Sequence, residues 1–165
     1  MGALQDIIDE LKPLILGAFG MVETTDPDKM NFFTSVQGAV QNFPQEVRAD
    51  SIELPCAVLE IGTFTPDTDW GVDNPNMKRF SVCAHKVVKQ SITENQDTVN
   101  DSALNFVWVM DNTSTFNHFQ VMEPGVVQSD LDSPINALLV GSKNPIVSAC
   151  GRYDPGFSCE IIHTP

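Results

Sequence analysis

Leu4, Ile7, Ile8, Leu11, Leu14 and Ile15 recur at helical spacing, with Asp6, Asp9, Glu10 and Lys12 between them, so the chain opens with an amphipathic helix. Pro13 lacks an N–H and is expected to kink that helix or to end its first part. Asp26 is a good N-cap and Pro27 suits a first turn. A second helix is therefore predicted from Asp26, with Met30, Phe33, Val36, Gln37 and Val40 on one side and Pro44 closing it. Asn42–Ser51 then reads as a linker within the domain. The pattern changes at Leu54-Pro55-Cys56-Ala57-Val58-Leu59-Glu60-Ile61, an apolar run typical of a strand, and again at Arg79–Val88, a second strand. Between them lies a polar loop carrying Asp67, Asp69, Trp70, Gly71, Asp73, Pro75 and Asn76. Bare loops longer than about 12–15 residues usually serve a purpose or are disordered, so this one is expected to be an arm that contacts a partner.

Further along, Val99, Ala103, Leu104, Phe106, Val107 and Met110 form a wide apolar stripe, and Thr98-Val99-Asn100-Asp101 resembles a capping box. A helix over Asp97–Thr115 is favoured over a buried strand at Leu104–Met110, although Trp108 and Val109 make it apolar nearly all round. Short strands are expected at Phe119–Met122 and Val126–Gln128 around Glu123-Pro124-Gly125. Ser133–Gly141 suits a short helix, and Pro145–Cys150 and Phe157–His163 suit two strands joined by a hairpin turn at Gly151–Gly156. The expected architecture is one α+β domain over residues 1–165, an antiparallel or mixed sheet with a long β-hairpin arm, packed by helices. Its parts are an N-terminal helical region (1–45), a strand pair with its long loop (53–90), a helix (97–115) and C-terminal strands (119–163).

Composition narrows the function. A chain of 165 residues, 42% apolar and 19% charged, is ordinary for one globular domain. Its apolar runs are too short and interrupted for a membrane-spanning helix. The first residues lack the basic region of a secretory signal, so a cytosolic origin is expected. The net charge is −13, and the imbalance is regional. Between Gln90 and Ser142 there are seven acids (Glu94, Asp97, Asp101, Asp111, Glu123, Asp130, Asp132) and no Lys or Arg. Tight binding to a phosphate backbone needs clustered bases, so the chain should not grip nucleic acid. Acidity keeps a protein soluble, and it also makes a surface that repels polyanions.

Enzymatic signatures are missing. There is no phosphate-binding Gly-x-x-x-x-Gly-Lys-Ser/Thr, no Gly-x-Gly-x-x-Gly, no His-Glu-x-x-His and no Gly-x-Ser-x-Gly. Asp67–Asp73 begins like a calcium loop, but position six is Val72 and position twelve is Lys78, where an EF-hand needs Gly and Glu. Cys56, Cys83, Cys150 and Cys159 fall in strand-like runs and are expected to be small buried hydrophobes, not disulfides. Cys83 and His85 share one face of a strand, half of a zinc site that Cys159 and His163 would have to complete. Ordinary hydrogen-bonding histidines and no resident cofactor or metal are the expectation.

The succession of a helix, the strand Leu54–Ile61 ending in Gly62-Thr63-Phe64-Thr65, an acidic Trp-bearing loop and the strand Arg79–Val88 resembles tail terminator proteins of long-tailed bacteriophages. The likeness covers the order of elements along most of the chain and is specific over about forty residues, with Asp26–Pro44 as an extra helical segment. It implies a non-enzymatic virion protein, made in the host cytoplasm, that forms a ring of usually six subunits. Such a ring caps the tail tube, joins it to the head-side connector and lets DNA pass as transient cargo. Asp67, Asp69, Trp70, Asp73 and Asn76 would then be interface residues, and Glu94, Asp97, Asp101, Glu123, Asp130 and Asp132 would face the channel. Another neck or tail-tube connector subunit, or a small metal- or ligand-binding α+β domain, fits the same residues.

Overall fold

In a computed structural model, residues 3–26, 29–36, 39–41, 53–62, 65–66, 77–113, 116–121, 125–129 and 146–160 are described. The chain begins with helix α1 (Ala3–Ala18), which buries Ile7, Ile8, Leu11 and Ile15 against the sheet. Each such side chain contributes about 1.5–3 kcal/mol on burial. Pro13 does not end the helix. It lies on the exposed side, as does Asp9 one turn earlier, so water can satisfy the carbonyl that Pro13 leaves without an N–H partner. The C-terminus closes where Met21 N–H donates to Leu16 O (2.9 Å) and Gly20 N–H to Gly17 O (3.2 Å), with Gly20 at φ 64°. That is the paired 6→1 and 5→2 closure that a left-handed glycine permits.

The sheet is mixed, with strands in the order β2-β1-β3-β5-β8-β6. Its members are β1 (Phe32–Val36), β2 (Ala39–Gln41), β3 (Cys56–Ile61), β4 (Thr65–Pro66), β5 (Met77–Lys89), β6 (Gln120–Val121), β7 (Val126–Ser129) and β8 (Ile146–Glu160). The β4 strand pairs with β5, and β7 with β8. The β1–β3 pair is parallel and the others are antiparallel. The α+β class expected from the sequence is therefore present. The β3–β5 pairing is also there, but residues 67–76, where the tip of the arm would lie, fall outside the described residues.

Two expectations are corrected. The helix anticipated from Asp26 to Pro44 is replaced by β1 and β2. Phe32, Phe33, Thr34 and Ser35 are all buried, so β1 is covered on both faces and shows no two-residue alternation. Its aromatic and β-branched content favours the strand, and the helical spacing of Met30, Phe33 and Val36 is incidental. The turn anticipated at Gly151–Gly156 is not a turn either, because β8 runs unbroken from Ile146 to Glu160 beside β5. The register passes from Val82↔Tyr153 to Phe80↔Phe157, so Asp154-Pro155-Gly156 stands opposite Ser81 alone. Pro and Gly here make a bulge, which interrupts the ladder without reversing the chain. The helix expected at Ser133–Gly141 lies outside the described residues.

The second helix, α2 (Gln96–Asn112), is capped one turn earlier than the sequence suggested. Asn95 accepts from Asp97 N–H and Thr98 N–H, while the Thr98 hydroxyl accepts from Asn95 N–H at 2.9 Å. Its Val99, Ala103, Phe106, Val107 and Met110 pack down on the sheet beside α1. Gly151 makes that approach possible: a Cβ there would lie 2.8 Å from Phe106 and 3.1 Å from Ala103 O. The buried Tyr153 hydroxyl, 2.8 Å from Val107 O and 2.9 Å from Asp111 Oδ1, ties β8 to the last turns of α2.

Candidate functional site

Three places in the described structure carry more chemistry than the fold requires. The first is the solvent face of α2. At 100° per residue, Asp97, Asp101, Leu104, Trp108 and Asp111 fall on one stripe, opposite Phe106 and Met110. Leu104 is 56% exposed and Trp108 is 64% exposed. An adjacent Leu–Trp pair facing water, with carboxylates at both ends, is an unsatisfied apolar surface on a rigid element. Trp is enriched where proteins bind one another. The sequence pointed to this feature indirectly, as apolar content in excess of one helix face.

The second place is the sheet surface that faces away from α1 and α2. Alternation puts Val58 and Glu60 of β3, Cys83, His85 and Val87 of β5, and Cys150 and Arg152 of β8 on this side. Register aligns Ser35, Glu60, Cys83 and Arg152 in one transverse row, and Phe33, Val58, His85 and Cys150 in the next. Cys83, His85 and Cys150 are buried, as is Ser35, whose hydroxyl has no hydrogen-bond partner among the described residues. Glu60 Oε2 lies 3.9 Å from His85 Nε2, and its side chain is 30% exposed. One ligating atom each from Glu60, Cys83 and His85 lies within 4.8 Å of the other two. A hydrogen bond with Cys150, together with burial, pushes the Cys83 thiol well up. Burial alone raises the Cys56 thiol, at the other end of β3, to about 12.

The sequence found half of this cluster and misassigned its completion. Cys159 is opposite Lys78, five residues along β5 from Cys83 and so roughly 16 Å away at strand spacing, too far to share a ligand. His163 lies outside the described residues. The actual neighbours, Glu60 and Cys150, depend on cross-strand register, which no local pattern reveals. Cys56, Cys83 and Cys150 are buried thiols.

The third place is Lys86, on the helix-covered side. Its ammonium donates to Phe19 O (2.8 Å) and to Ser102 Oγ (3.1 Å), joining the end of α1 to the middle of α2. Burial lowers its pKa, and the Glu94 carboxylate works against that. These bonds give Lys86 a bracing role. His118 likewise meets Glu10, whose carboxylate accepts from Asn117 N–H (2.8 Å), His118 N–H (3.2 Å) and the His118 ring (3.2 Å).

Of the residues expected at an interface or channel, Glu94, Asp97 and Asp101 are exposed at and just before the start of α2. Asp67, Asp69, Trp70, Asp73, Asn76, Glu123, Asp130 and Asp132 lie outside the described residues. Among the described residues no helix is long and apolar enough to cross a membrane. No family model and no curated protein sequence matches the chain.

Proposed function

We propose that the chain is a structural virion subunit of a long-tailed phage, forming a ring at the head-proximal end of the tail. The ring caps the tail tube, joins it to the head-side connector and lets DNA pass. The observation that carries this reading is the outer face of α2, where Leu104 and Trp108 stand in water on the helix that holds the sheet together. The occupant we assign to that face is a second copy of the chain, in a head-to-tail contact that closes into a ring. Asp97, Asp101 and Asp111 rim the apolar pair and favour a basic counterpart. The one adjacent pair of bases in the sequence, Lys78-Arg79, sits in β5, on a different part of the fold. A contact between two different surfaces is what a cyclic ring requires.

Charge supports the same reading. A net charge of −13 would keep duplex from adhering to the wall of a channel. Of the residues first assigned to the channel, Asp97 and Asp101 pass to the subunit contact on α2, Glu94 and the acidic residues 123, 130 and 132 keep the channel-facing assignment, and Asp67–Asn76 is assigned to meet the tube or connector. The resemblance to tail terminators supplies the position in the virion. Negative-stain electron microscopy of the purified protein mixed with polymerising tail-tube subunits tests the proposal. Closed rings seated on one end of tubes of limited length are expected. Tubes of unrestricted length with no ring at either end would overturn it.

A further inference from the structure

We propose that Glu60, Cys83 and His85 form a zinc-binding site on the sheet surface away from the helices, with Cys150 hydrogen-bonded to the Cys83 sulfur behind it. The inference is independent of the ring, because it rests on the interior of one chain.

The chemistry of the donors selects the metal. A thiolate, an imidazole and a carboxylate together suit zinc, whereas calcium and magnesium take oxygen ligands. Ligand-to-metal bonds of about 2.0–2.3 Å in tetrahedral geometry separate the donors by roughly 3.3–3.8 Å. The three atoms already lie within 4.8 Å of one another, with the Glu60–His85 pair at 3.9 Å. Closing on an ion asks for shifts of about 1 Å or less, within reach of small side-chain rotations. The three ligands come from adjoining strands, Glu60 directly opposite Cys83 and His85 two residues further along β5, so the hydrogen-bonded ladder fixes their spacing.

Access and surroundings fit the same assignment. The Cys83 and His85 side chains are buried, while that of Glu60 is 30% exposed, which places the carboxylate at the mouth of the site. Cys150 is in hydrogen-bond contact with the Cys83 sulfur, and with Cys83 bound as thiolate its S–H would turn to donate to that sulfur, the kind of neighbouring hydrogen bond that orients ligands and tunes a metal centre. Ser35, beside Glu60 in that row, has a buried hydroxyl with no hydrogen-bond partner among the described residues. A water completing the tetrahedron would give that hydroxyl a partner. Zinc bound here ties β3 to β5 and stabilises the folded chain by an amount that grows with the logarithm of free zinc over its dissociation constant.

The test uses the full-length protein, reduced with a phosphine and loaded with Zn²⁺ or with Co²⁺ as a spectroscopic probe. One equivalent of zinc should be retained after desalting, and Co²⁺ should produce a sulfur-to-cobalt charge-transfer band with tetrahedral d–d bands. Free zinc at about 100-fold over its dissociation constant should raise the melting temperature by about 5–10 °C. Cys83→Ser should abolish the charge-transfer band, and Glu60→Gln should weaken Co²⁺ binding at least about 10-fold. Both variants are to be checked for an unchanged circular dichroism spectrum without metal. Cys150→Ser should keep the band. Absence of metal and of any cobalt band in the folded wild-type protein would overturn the proposal, as would a band that survives in Cys83→Ser. Loss of the band in Cys150→Ser as complete as in Cys83→Ser would overturn the three-ligand assignment.

Discussion

Trp108→Glu is the perturbation that most sharply separates a contact surface from an ordinary helix face. The indole is 64% exposed in the single chain. A Trp side chain buries up to about 250 Å², so close to 160 Å² remains for a partner to cover. At about 25 cal/mol per Å² that area sets a ceiling of about 4 kcal/mol on its contribution to association, or about 1,000-fold in dissociation constant, before ordering and desolvation costs are subtracted. The new carboxylate lies one turn from both Leu104 and Asp111 and adds a charge where the apolar pair would be desolvated. The intrachain cost is small, since Phe106, Val107 and Met110 on the opposite face hold the helix down. Sedimentation velocity across a concentration series reads the assembly, and a thermal melt of the same samples reads the fold. The expected result is a variant that keeps the wild-type circular dichroism spectrum and a cooperative melt, with the assembly midpoint moved up at least about 100-fold. Unchanged assembly would refute the assignment of this face. A collapsed melting temperature would show that Trp108 serves its own fold instead.

Three further outcomes follow from the packing. Gly151→Ala should lower stability by about 1–3 kcal/mol in chemical denaturation, because its methyl would meet Phe106 at 2.8 Å and Ala103 O at 3.1 Å; a neutral result would mean that α2 lifts freely from β8. Tyr153→Phe should cost about 1.5–2 kcal/mol, read in the same assay, by removing the hydroxyl shared between Val107 O and Asp111 Oδ1. Stability should fall as pH rises above about 9. Burial raises Cys56 from 9.0 to about 12, and burial with the Asp111 hydrogen bond raises Tyr153 above the ordinary phenol value of about 10. Both groups are therefore protonated longer in the folded state, so their contribution is complete below the unfolded pKa and lost above it. For Cys56 the loss reaches about 4 kcal/mol by pH 12. A stability profile that stays flat from pH 8 to 11 would contradict their burial.

The elements legible in the sequence are those with one buried face or one uninterrupted apolar run. The α1 stripe, the strand at Cys56–Ile61 and the strand ending at Lys89 stand where local pattern put them. The β1 strand escaped because both its faces are buried, leaving helical spacing to be read into Phe33 and Val36. The continuity of β8 escaped because Asp154-Pro155-Gly156 is turn chemistry that a bulge also uses. At the candidate sites the same division holds. Cys83 and His85 share a face by simple alternation within β5, but Glu60 and Cys150 join them only through register, a property of three strands at once. Trp108 was visible as an excess apolar residue, whereas Leu104 was read into the buried stripe and is exposed, because which residues face water depended on which side of α2 the sheet took.

The mass of the purified protein in solution decides whether copies of the chain close into a ring. Mass photometry through the nanomolar range should give one dominant species at a small multiple of 18.1 kDa; for a hexamer this is six times that value, about 109 kDa. A protein that remains at the mass of a single chain up to micromolar concentration, measured by light scattering, would contradict the account.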